Sequence, residues 1–209
     1  MELYVMRHGT TDWNLERRMQ GSHNIQLNDE GRALARVTAE ALKDLKIDYI
    51  YSSPLDRAYE TATIIRGDRD IEIVKDDRLK EFCFGEYEGK APEERPEKVK
   101  LFFKDPPAYE PPADGESFDS IIKRTGDFIE SVIVPLSEKH PDGRVLVSGH
   151  GAMNKALALN LLHRDLKDFW AGEWQKNCCI SIYEINGHDF KLKKDCIIFY
   201  EEDESKKFV

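Results

Sequence analysis

Short runs of apolar residues alternate along the chain with longer segments whose apolar positions recur every three or four residues. The short runs are β-branched or aromatic, which is typical of buried strands, and the longer spacing places apolar side chains on one face of a helix. The predicted strands are Leu3–Met6, Tyr49–Ser52, Ile71–Val74, Val145–Ser148, Cys179–Ile185 and Phe190–Ile198. The predicted helices are Gly31–Leu45, Leu55–Ile65, Ser117–Val134 and Ala152–Leu162.

Details within these elements can also be predicted. In the first helix the spacing places Leu34, Val37, Ala41, Leu42 and Leu45 on one face, which we expect to be buried. Pro135 is expected to end the third helix, because proline cannot donate to the helical ladder. Asn186-Gly187 between the last two strands predicts a hairpin and therefore an antiparallel edge.

Strands that alternate with helices predict βαβ units and a mostly parallel sheet covered on both faces. The predicted fold class is therefore α/β, a three-layer α/β/α sandwich. Segment 82–114 breaks the alternation with prolines and aromatic residues, and we interpret it as an inserted flap over the sheet rather than a second core. The chain 1–209 is predicted to be one domain with a charged tail at about 201–209.

The charge balance excludes several partners. Thirty-one Lys and Arg against 40 Asp and Glu give a net charge of −9, which disfavours nucleic acid and anionic lipid as partners. No apolar run is long enough to cross a membrane, and the four cysteines lack disulfide-framework or metal spacing. We therefore expect a cytoplasmic protein with a small-molecule partner, and an edge strand near the C-terminus is a candidate surface for a homodimer.

Three predicted strands end in turns that contain histidine or arginine. Arg7 and His8 follow the first strand, Arg57 comes shortly after the second, and His150 follows the fourth. The carboxyl ends of parallel strands meet at one edge of a sheet, so these side chains should form one anion pocket. Arginine suits phosphate geometry, and the helix that begins after Gly151 would add positive potential at its N-terminus.

His8 is the candidate nucleophile of this pocket. Neighbouring Arg7 should lower the pKa of the imidazole and leave its nitrogen lone pair available. Attack on a phosphoryl group would give a phosphohistidine, with Arg7, Arg57 and His150 stabilising the transferred charge.

The leaving alkoxide needs a proton, and Glu81 is the candidate donor. Its aromatic and apolar sequence neighbours would favour the protonated carboxyl near neutral pH. Glu86 and Glu88 are alternatives for this acid.

The stretch Arg7–Asn14 resembles the signature of the histidine phosphatase superfamily, also called the phosphoglycerate mutase-like family. Similar segments follow in the family's order over roughly residues 1–163, namely Met19–Gly21, Leu27–Asn28, Ser52–Ala62, Leu79–Gly89, Asp114–Phe118 and Ser148–Gly151. The resemblance implies that His8 is phosphorylated, that Glu81 donates the proton, and that no metal or other cofactor is used. It further implies phosphate or substrate contacts from Arg7, Asn14, Gln20, Gly21, Arg57, Glu81, His150 and Gly151.

Within the family the resemblance favours a phosphatase of small phosphate monoesters. Thr11 favours that branch, and the flap lacks the adjacent arginine pair with which mutases hold a substrate carboxylate. A cofactor-dependent phosphoglycerate mutase and a non-catalytic phosphate-binding module are the alternatives. Asn14 has a structural alternative as a helix cap, and Asn24 and Lys155 depart from the family pattern.

Overall fold

A six-stranded sheet lies at the centre of the computed structural model, which describes residues 1–201. The strands are β1 (Glu2–Arg7), β2 (Tyr49–Ser52), β3 (Ile73–Lys75), β4 (Arg144–Gly149), β5 (Ile180–Asn186) and β6 (Asp189–Ile197). Their order is β3-β2-β4-β1-β5-β6, with the first four strands parallel and β5 and β6 antiparallel. The predicted α/β class, the mostly parallel sheet and the antiparallel hairpin are confirmed.

Helices cover both faces of the sheet. Alternate residues of β1 point to opposite sides, so that Leu3 and Val5 join one hydrophobic cluster and Tyr4 and Met6 join another. The α-helices of the described chain are α1 (Asp12–Leu15), α2 (Asp29–Ala41), α3 (Asp56–Arg66), α4 (Leu101–Lys104), α5 (Phe118–Phe128), α6 (Val134–Lys139) and α7 (Gly151–Leu161).

The prediction that Pro135 ends a helix is wrong. A π-helical turn, Ile129–Ile133, follows α5, and the helical path continues as α6 to Lys139. The proline lies in the first turn of α6. A backbone N–H in a first turn has no acceptor within its helix, so the lack of one in proline costs no helical hydrogen bond. The π turn restarts the helical register just before the proline.

The buried face predicted for the first helix is also wrong in part. Val37 is 44% exposed, and α2 buries Ala35 and Thr38 instead. The helix starts two residues earlier than predicted because Asn28 caps it by accepting a hydrogen bond from Gly31 N at 2.9 Å. The first turn of α2 begins with polar residues, so the spacing of apolar residues could not predict where the helix starts.

Segment 82–114 contains α4 and several 3₁₀ turns. Its aromatic side chains are mostly buried and belong to the same hydrophobic cluster as Leu3 and Val5 of β1. Phe102 is the centre of this packing, with ring centroids 4.8 Å from Phe82 and 5.0 Å from Phe118. The flap therefore extends the core on one face of the sheet.

Within residues 1–201, no helix combines the length and the apolar character needed to cross a bilayer. The predicted charged tail lies outside the described residues, apart from exposed Glu201.

Candidate active site

The carboxyl ends of β1, β4 and β2 lie side by side, and the chain leaves each strand through a turn that contains predicted site residues. Arg7 is paired with Gly149 across β1 and β4. His8 and His150 directly follow this pair, so the register places their rings together, with centroids 5.2 Å apart and planes at 61°. The predicted meeting of distant histidines at one sheet edge is thus observed.

His8 is buried, at 2% exposure. Its Nδ1 lies 2.6 Å from the carbonyl oxygen of Gly9. A carbonyl can only accept, so Nδ1 holds the proton and Nε2 holds the lone pair. Burial first, and then the charges of Arg57 and Arg7, hold the pKa of His8 well below its usual 6.5. The ring is therefore neutral near pH 7. Burial lowers the pKa more than the charge of Arg7, which was the cause predicted from the sequence.

His150 lies behind His8, fully buried. Its Nε2 is 2.8 Å from Ser53 Oγ, which itself accepts a hydrogen bond from Leu55 N at 3.3 Å. The serine hydroxyl is thus available to donate to Nε2, and that leaves the ring proton on Nδ1. Nδ1 has no hydrogen-bond partner among the described residues. Burial, followed by the charge of Arg57, holds the pKa of His150 well below its usual value.

Arg57, on α3, is fully buried and is held by backbone carbonyls. Its Nη1 donates to His23 O at 2.6 Å and its Nη2 to Gly21 O at 2.7 Å. Gly21 has φ 52°, a left-handed conformation, and an added Cβ would lie 2.0 Å from Glu88 Oε1, so only glycine fits there. Burial lowers the pKa of Arg57 to about 10, which leaves the guanidinium positive near neutral pH.

Arg7 is oriented in the same way. Its Nη1 donates to the carbonyl oxygen of Gln175, and its Nε is buried without a partner in the described chain. A Cβ added to Gly151 would lie 3.8 Å from both Arg7 Nε and Glu81 Oε2, so the two side chains converge beside this glycine. Because carbonyls do not neutralise a guanidinium, Arg7 and Arg57 keep positive charge for an anion.

Backbone amides hold the side chain of Glu81. Its carboxylate accepts backbone hydrogen bonds from Phe82 N at 2.9 Å, Ala152 N at 3.2 Å and Met153 N at 3.0 Å. Two of these amides begin α7, so the helix N-terminus expected to face phosphate instead holds Glu81. Three backbone amides therefore fix the position of this carboxylate beside the cavity.

One cavity of about 330 Å³ connects these groups. His150 does not line it. Asn14 does, although its Oδ1 also accepts from Thr11 N at 3.1 Å in a capping box, so the helix-cap alternative is confirmed for that oxygen. The predicted residues that line the cavity are Arg7, His8, Asn14, Gln20, Gly21, Arg57, Glu81 and Gly151.

Neither alternative acid lines the cavity. Burial raises the pKa of Glu88, but hydrogen bonds from Ser22, His23 and Phe84 outweigh that effect, and the net pKa lies below its usual value. Glu86 is exposed on the surface. Of the three carboxylates considered, Glu81 alone reaches the cavity.

Sequence reasoning missed the loop that precedes β5. Gln175 accepts the hydrogen bond from Arg7, and Asn177 Nδ2 donates to His8 O at 3.0 Å and to Asn14 Oδ1 at 3.4 Å. This loop reaches the site because β5 pairs antiparallel with β1, so the start of β5 meets the end of β1. No local pattern in the loop indicates that proximity.

Three further arginines line the cavity, namely Arg17, Arg18 and Arg95. Segment 82–114, where an arginine pair was expected for a mutase, contains no adjacent pair. An adjacent pair does reach the cavity, but from the segment just before Gln20. This pair, Arg17 and Arg18, directly precedes Met19–Gly21, which the family resemblance places beside the substrate. That position could have indicated that the pair reaches the cavity.

The two departures from the family pattern have structural explanations. Asn24 Oδ1 accepts from Asp56 N at 2.7 Å, at the start of α3. Buried Lys155 donates to Ala171 O at 2.8 Å and to Glu173 O at 2.7 Å, and so supports the loop that holds Gln175.

The carboxyl edge of the parallel strands carries a neutral buried histidine, uncompensated arginines and one carboxylate. Together these groups define an enzyme site for phosphate esters. Comparison with known proteins agrees. The family model described as "Histidine phosphatase superfamily (branch 1)" matches residues 3–196. This chain belongs to the histidine phosphatase superfamily and is a phosphoric monoester hydrolase, as predicted.

Individual relatives cover most of the chain. It is 37% identical over 162 residues to phosphoglycerate mutase-like protein 4 of Arabidopsis thaliana, covering 75% of this chain and 69% of that protein. It is 33% identical over 175 residues to phosphoserine phosphatase 1 of Hydrogenobacter thermophilus, covering 82% and 81%. The solved structure of Bacillus stearothermophilus YhfR superposes with a TM-score of 0.86 at 32% identity, covering 94% of this chain and 97% of that one.

Proposed function

We propose that this phosphatase hydrolyses small-molecule phosphate monoesters through a phosphohistidine at Nε2 of His8, without a metal ion. The observation that supports this most directly is the 2.6 Å contact between His8 Nδ1 and Gly9 O. It fixes the tautomer whose lone pair is on Nε2, in a ring that lines a cavity together with Arg7 and Arg57. The remaining roles follow from the contacts of each side chain.

In the first step, Nε2 of His8 attacks phosphorus as the bond from phosphorus to the alcohol oxygen breaks. The unpartnered Nε atoms of Arg7 and Arg57 donate to the phosphoryl oxygens, where charge concentrates in the transition state. We propose that the Nδ1–H of His150 donates to the same group. Neutral His150 provides a donor without placing another positive charge beside His8.

Glu81 is proposed as the acid of this step. In this step the carboxyl group of Glu81 carries a proton, and it lines the same cavity as Arg7 and Arg57. That proton passes to the leaving alkoxide. In the second step Glu81 takes a proton from water, the water oxygen attacks phosphorus, and the bond to His8 breaks with release of phosphate.

The other lining residues are proposed to shape the pocket. Asn14 contributes its amide hydrogens, since its oxygen is already bonded to Thr11. Gln20 and Gly21 form the wall beside Arg57, and Gly151 leaves room between Arg7 and Glu81 because it lacks a side chain.

The relatives indicate candidate substrates. One of them is named for phosphoserine, and phosphoserine fits the proposed class of small monoesters. A panel of small phosphate monoesters, assayed in excess chelator, would rank phosphoserine against sugar phosphates and nucleotides. Complete loss of activity in chelator would contradict metal independence.

Trapping the intermediate tests the mechanism. The enzyme is mixed with p-nitrophenyl phosphate, quenched in alkali within the first turnovers, and digested for mass spectrometry. We expect a phosphoryl adduct on His8 that is stable in base and lost in acid, and no adduct or turnover in His8→Ala. The control is His188→Ala, because that ring is 66% exposed on the β5–β6 hairpin. Turnover by His8→Ala at the rate of the control would refute the proposal.

A further inference from the structure

Glu88 is a buried carboxylate that does not line the cavity but binds the chain segment beside it. Its side chain is 3% exposed. Oε1 accepts from Ser22 N at 2.8 Å and from Phe84 N at 3.0 Å, and Oε2 accepts from His23 N at 3.2 Å. The Ser22 hydroxyl and His23 Nδ1 also contact this carboxylate. One side chain therefore binds the backbone amides of two consecutive residues, 22 and 23.

The same short segment holds Arg57 through its carbonyls. Gly21 O accepts from Nη2 of Arg57 at 2.7 Å, and His23 O accepts from Nη1 at 2.6 Å. Gly21 O and Ser22 N belong to one peptide group, which is therefore bonded to Arg57 at its oxygen and to Glu88 at its nitrogen. A trans peptide group is planar, and its N–H and C=O point in opposite directions, so fixing the N–H also fixes the carbonyl. The carboxylate thus sets the direction of an acceptor that orients the guanidinium.

Backbone groups attach the earlier part of this segment to segment 82–114. Met19 N donates to Lys90 O at 3.3 Å, and the side chain of Arg95 donates to Arg17 O. At residues 22 and 23 the side chain of Glu88 makes the attachment instead. A single substitution can therefore remove the support behind Arg57, which is not possible where backbone groups provide it.

Glu88 acts on Arg57 without forming an ion pair with it. Burial is the main influence on the pKa of Arg57 and lowers it, whereas the charges of Glu81 and Glu88 act in the opposite direction. A carboxylate bonded directly to the guanidinium would compete with phosphate for the same donors. Because a peptide group lies between them, the Nε of Arg57 stays without a partner in the described chain.

We infer that Glu88 is a positioning residue for phosphoryl transfer, which orients the Gly21–Ser22 peptide group and, through it, the guanidinium of Arg57. It touches neither the substrate nor the reacting atoms. The inference rests on the proposed function, because it requires Arg57 to bind the phosphoryl group.

A double-mutant cycle between Glu88 and Arg57 tests the inference. Glu88→Gln keeps the size of the side chain but loses its charge, and it turns an NH₂ group toward at least one of the backbone amides that the carboxylate now accepts. We expect kcat/KM for p-nitrophenyl phosphate to fall about 10- to 100-fold, as for loss of hydrogen bonds to a charged group. The loss should be mostly in kcat, because misplaced donors weaken contacts made in the transition state.

The same substitution in an Arg57→Lys background should cost less than about threefold, because the guanidinium that Glu88 orients is already gone. Glu86→Gln is the matched control, since Glu86 is an exposed carboxylate two residues away in the chain. It should leave kcat/KM unchanged in both backgrounds. Glu88→Asp keeps the charge and both oxygens, so it should show a smaller loss, and the same cycle with this variant decides the matter if Glu88→Gln does not fold.

Equal losses in the two backgrounds, or no loss in either, would overturn the positioning role. The proposed function is checked separately in the wild type and in Arg57→Lys alone. A His8 adduct in the wild type and a large loss in Arg57→Lys, together with additive effects of Glu88→Gln, would reject this inference alone. A missing adduct, or full activity of Arg57→Lys, would reject the proposed mechanism instead.

Discussion

The ring of His150 lies edge-on to that of His8, with centroids 5.2 Å apart, and both rings are buried beside Arg57. Burial and the arginine charge act in the same direction on the pair, and both imidazoles have lowered pKa values. Two adjacent histidines therefore remain neutral in the folded protein at pH values where exposed histidines take up protons. This arrangement has consequences for stability as well as for chemistry.

Stability should fall as the solution is made acidic. The folded pKa values of His8 and His150 lie below the usual 6.5, so below that pH the unfolded chain binds protons that the folded chain does not. Each histidine should lower the free energy of unfolding by up to about 1.4 kcal/mol per pH unit, starting near pH 6.5 and continuing downward to its folded pKa. Urea unfolding between about pH 8 and pH 5 measures this slope. The double variant His8→Asn, His150→Asn should flatten it, and an unchanged slope in that variant would assign the effect to other groups.

Replacing Arg57 by lysine should impair catalysis although the charge is retained. Lysine cannot donate to Gly21 O and His23 O in the fork that now fixes Arg57, and it lacks the Nε donor. We expect kcat/KM for p-nitrophenyl phosphate to fall about 100- to 1000-fold. Arg36→Lys, at an exposed position on α2, is the control and should leave kcat/KM unchanged. A loss below about threefold for Arg57→Lys would show that charge alone is sufficient.

Glu81→Gln should separate substrates by their leaving groups. Nitrophenolate is a stable anion and needs no proton, whereas an alkoxide does, so the variant should lose about 100- to 10,000-fold on an alkyl phosphate and far less on p-nitrophenyl phosphate. Steady-state kcat for both substrates is the measurement, with exposed Glu86→Gln as the control. Losses of equal size on both substrates would remove Glu81 from the acid role.

The flap should contribute to global stability through one of its two adjacent phenylalanines. Phe102 is 1% exposed and contacts the rings of Phe82, Phe84 and Phe118, whereas Phe103 is 41% exposed. Phe102→Ala should lower the free energy of unfolding by about 3–5 kcal/mol, and Phe103→Ala by less than about 1 kcal/mol. Denaturant midpoints distinguish them. Equal and small effects would mean that segment 82–114 is detached from the core.

Most of the fold could be predicted because the periodicity of buried positions is a local property. The strands β1, β2 and β4 are observed within one residue of their predicted ends, since each is a short apolar run between polar turns. The errors occur where local pattern and tertiary packing disagree. Pro135 is tolerated only because a π turn precedes it, and the exposure of Val37 depends on which side of α2 contacts the sheet.

The sequence by itself determined the catalytic candidates at the strand ends. His8, Arg57 and His150 follow predicted parallel strands, and parallel strands end at a common edge whatever their order. Only the tertiary structure decided what surrounds those groups. The amides that hold Glu81, the carbonyls that hold Arg57 and Arg95, and the loop with Gln175 come from segments distant in the chain. A hydrogen-bond partner or a cavity wall depends on which segments pack against each other in three dimensions, and no local pattern of residues encodes that.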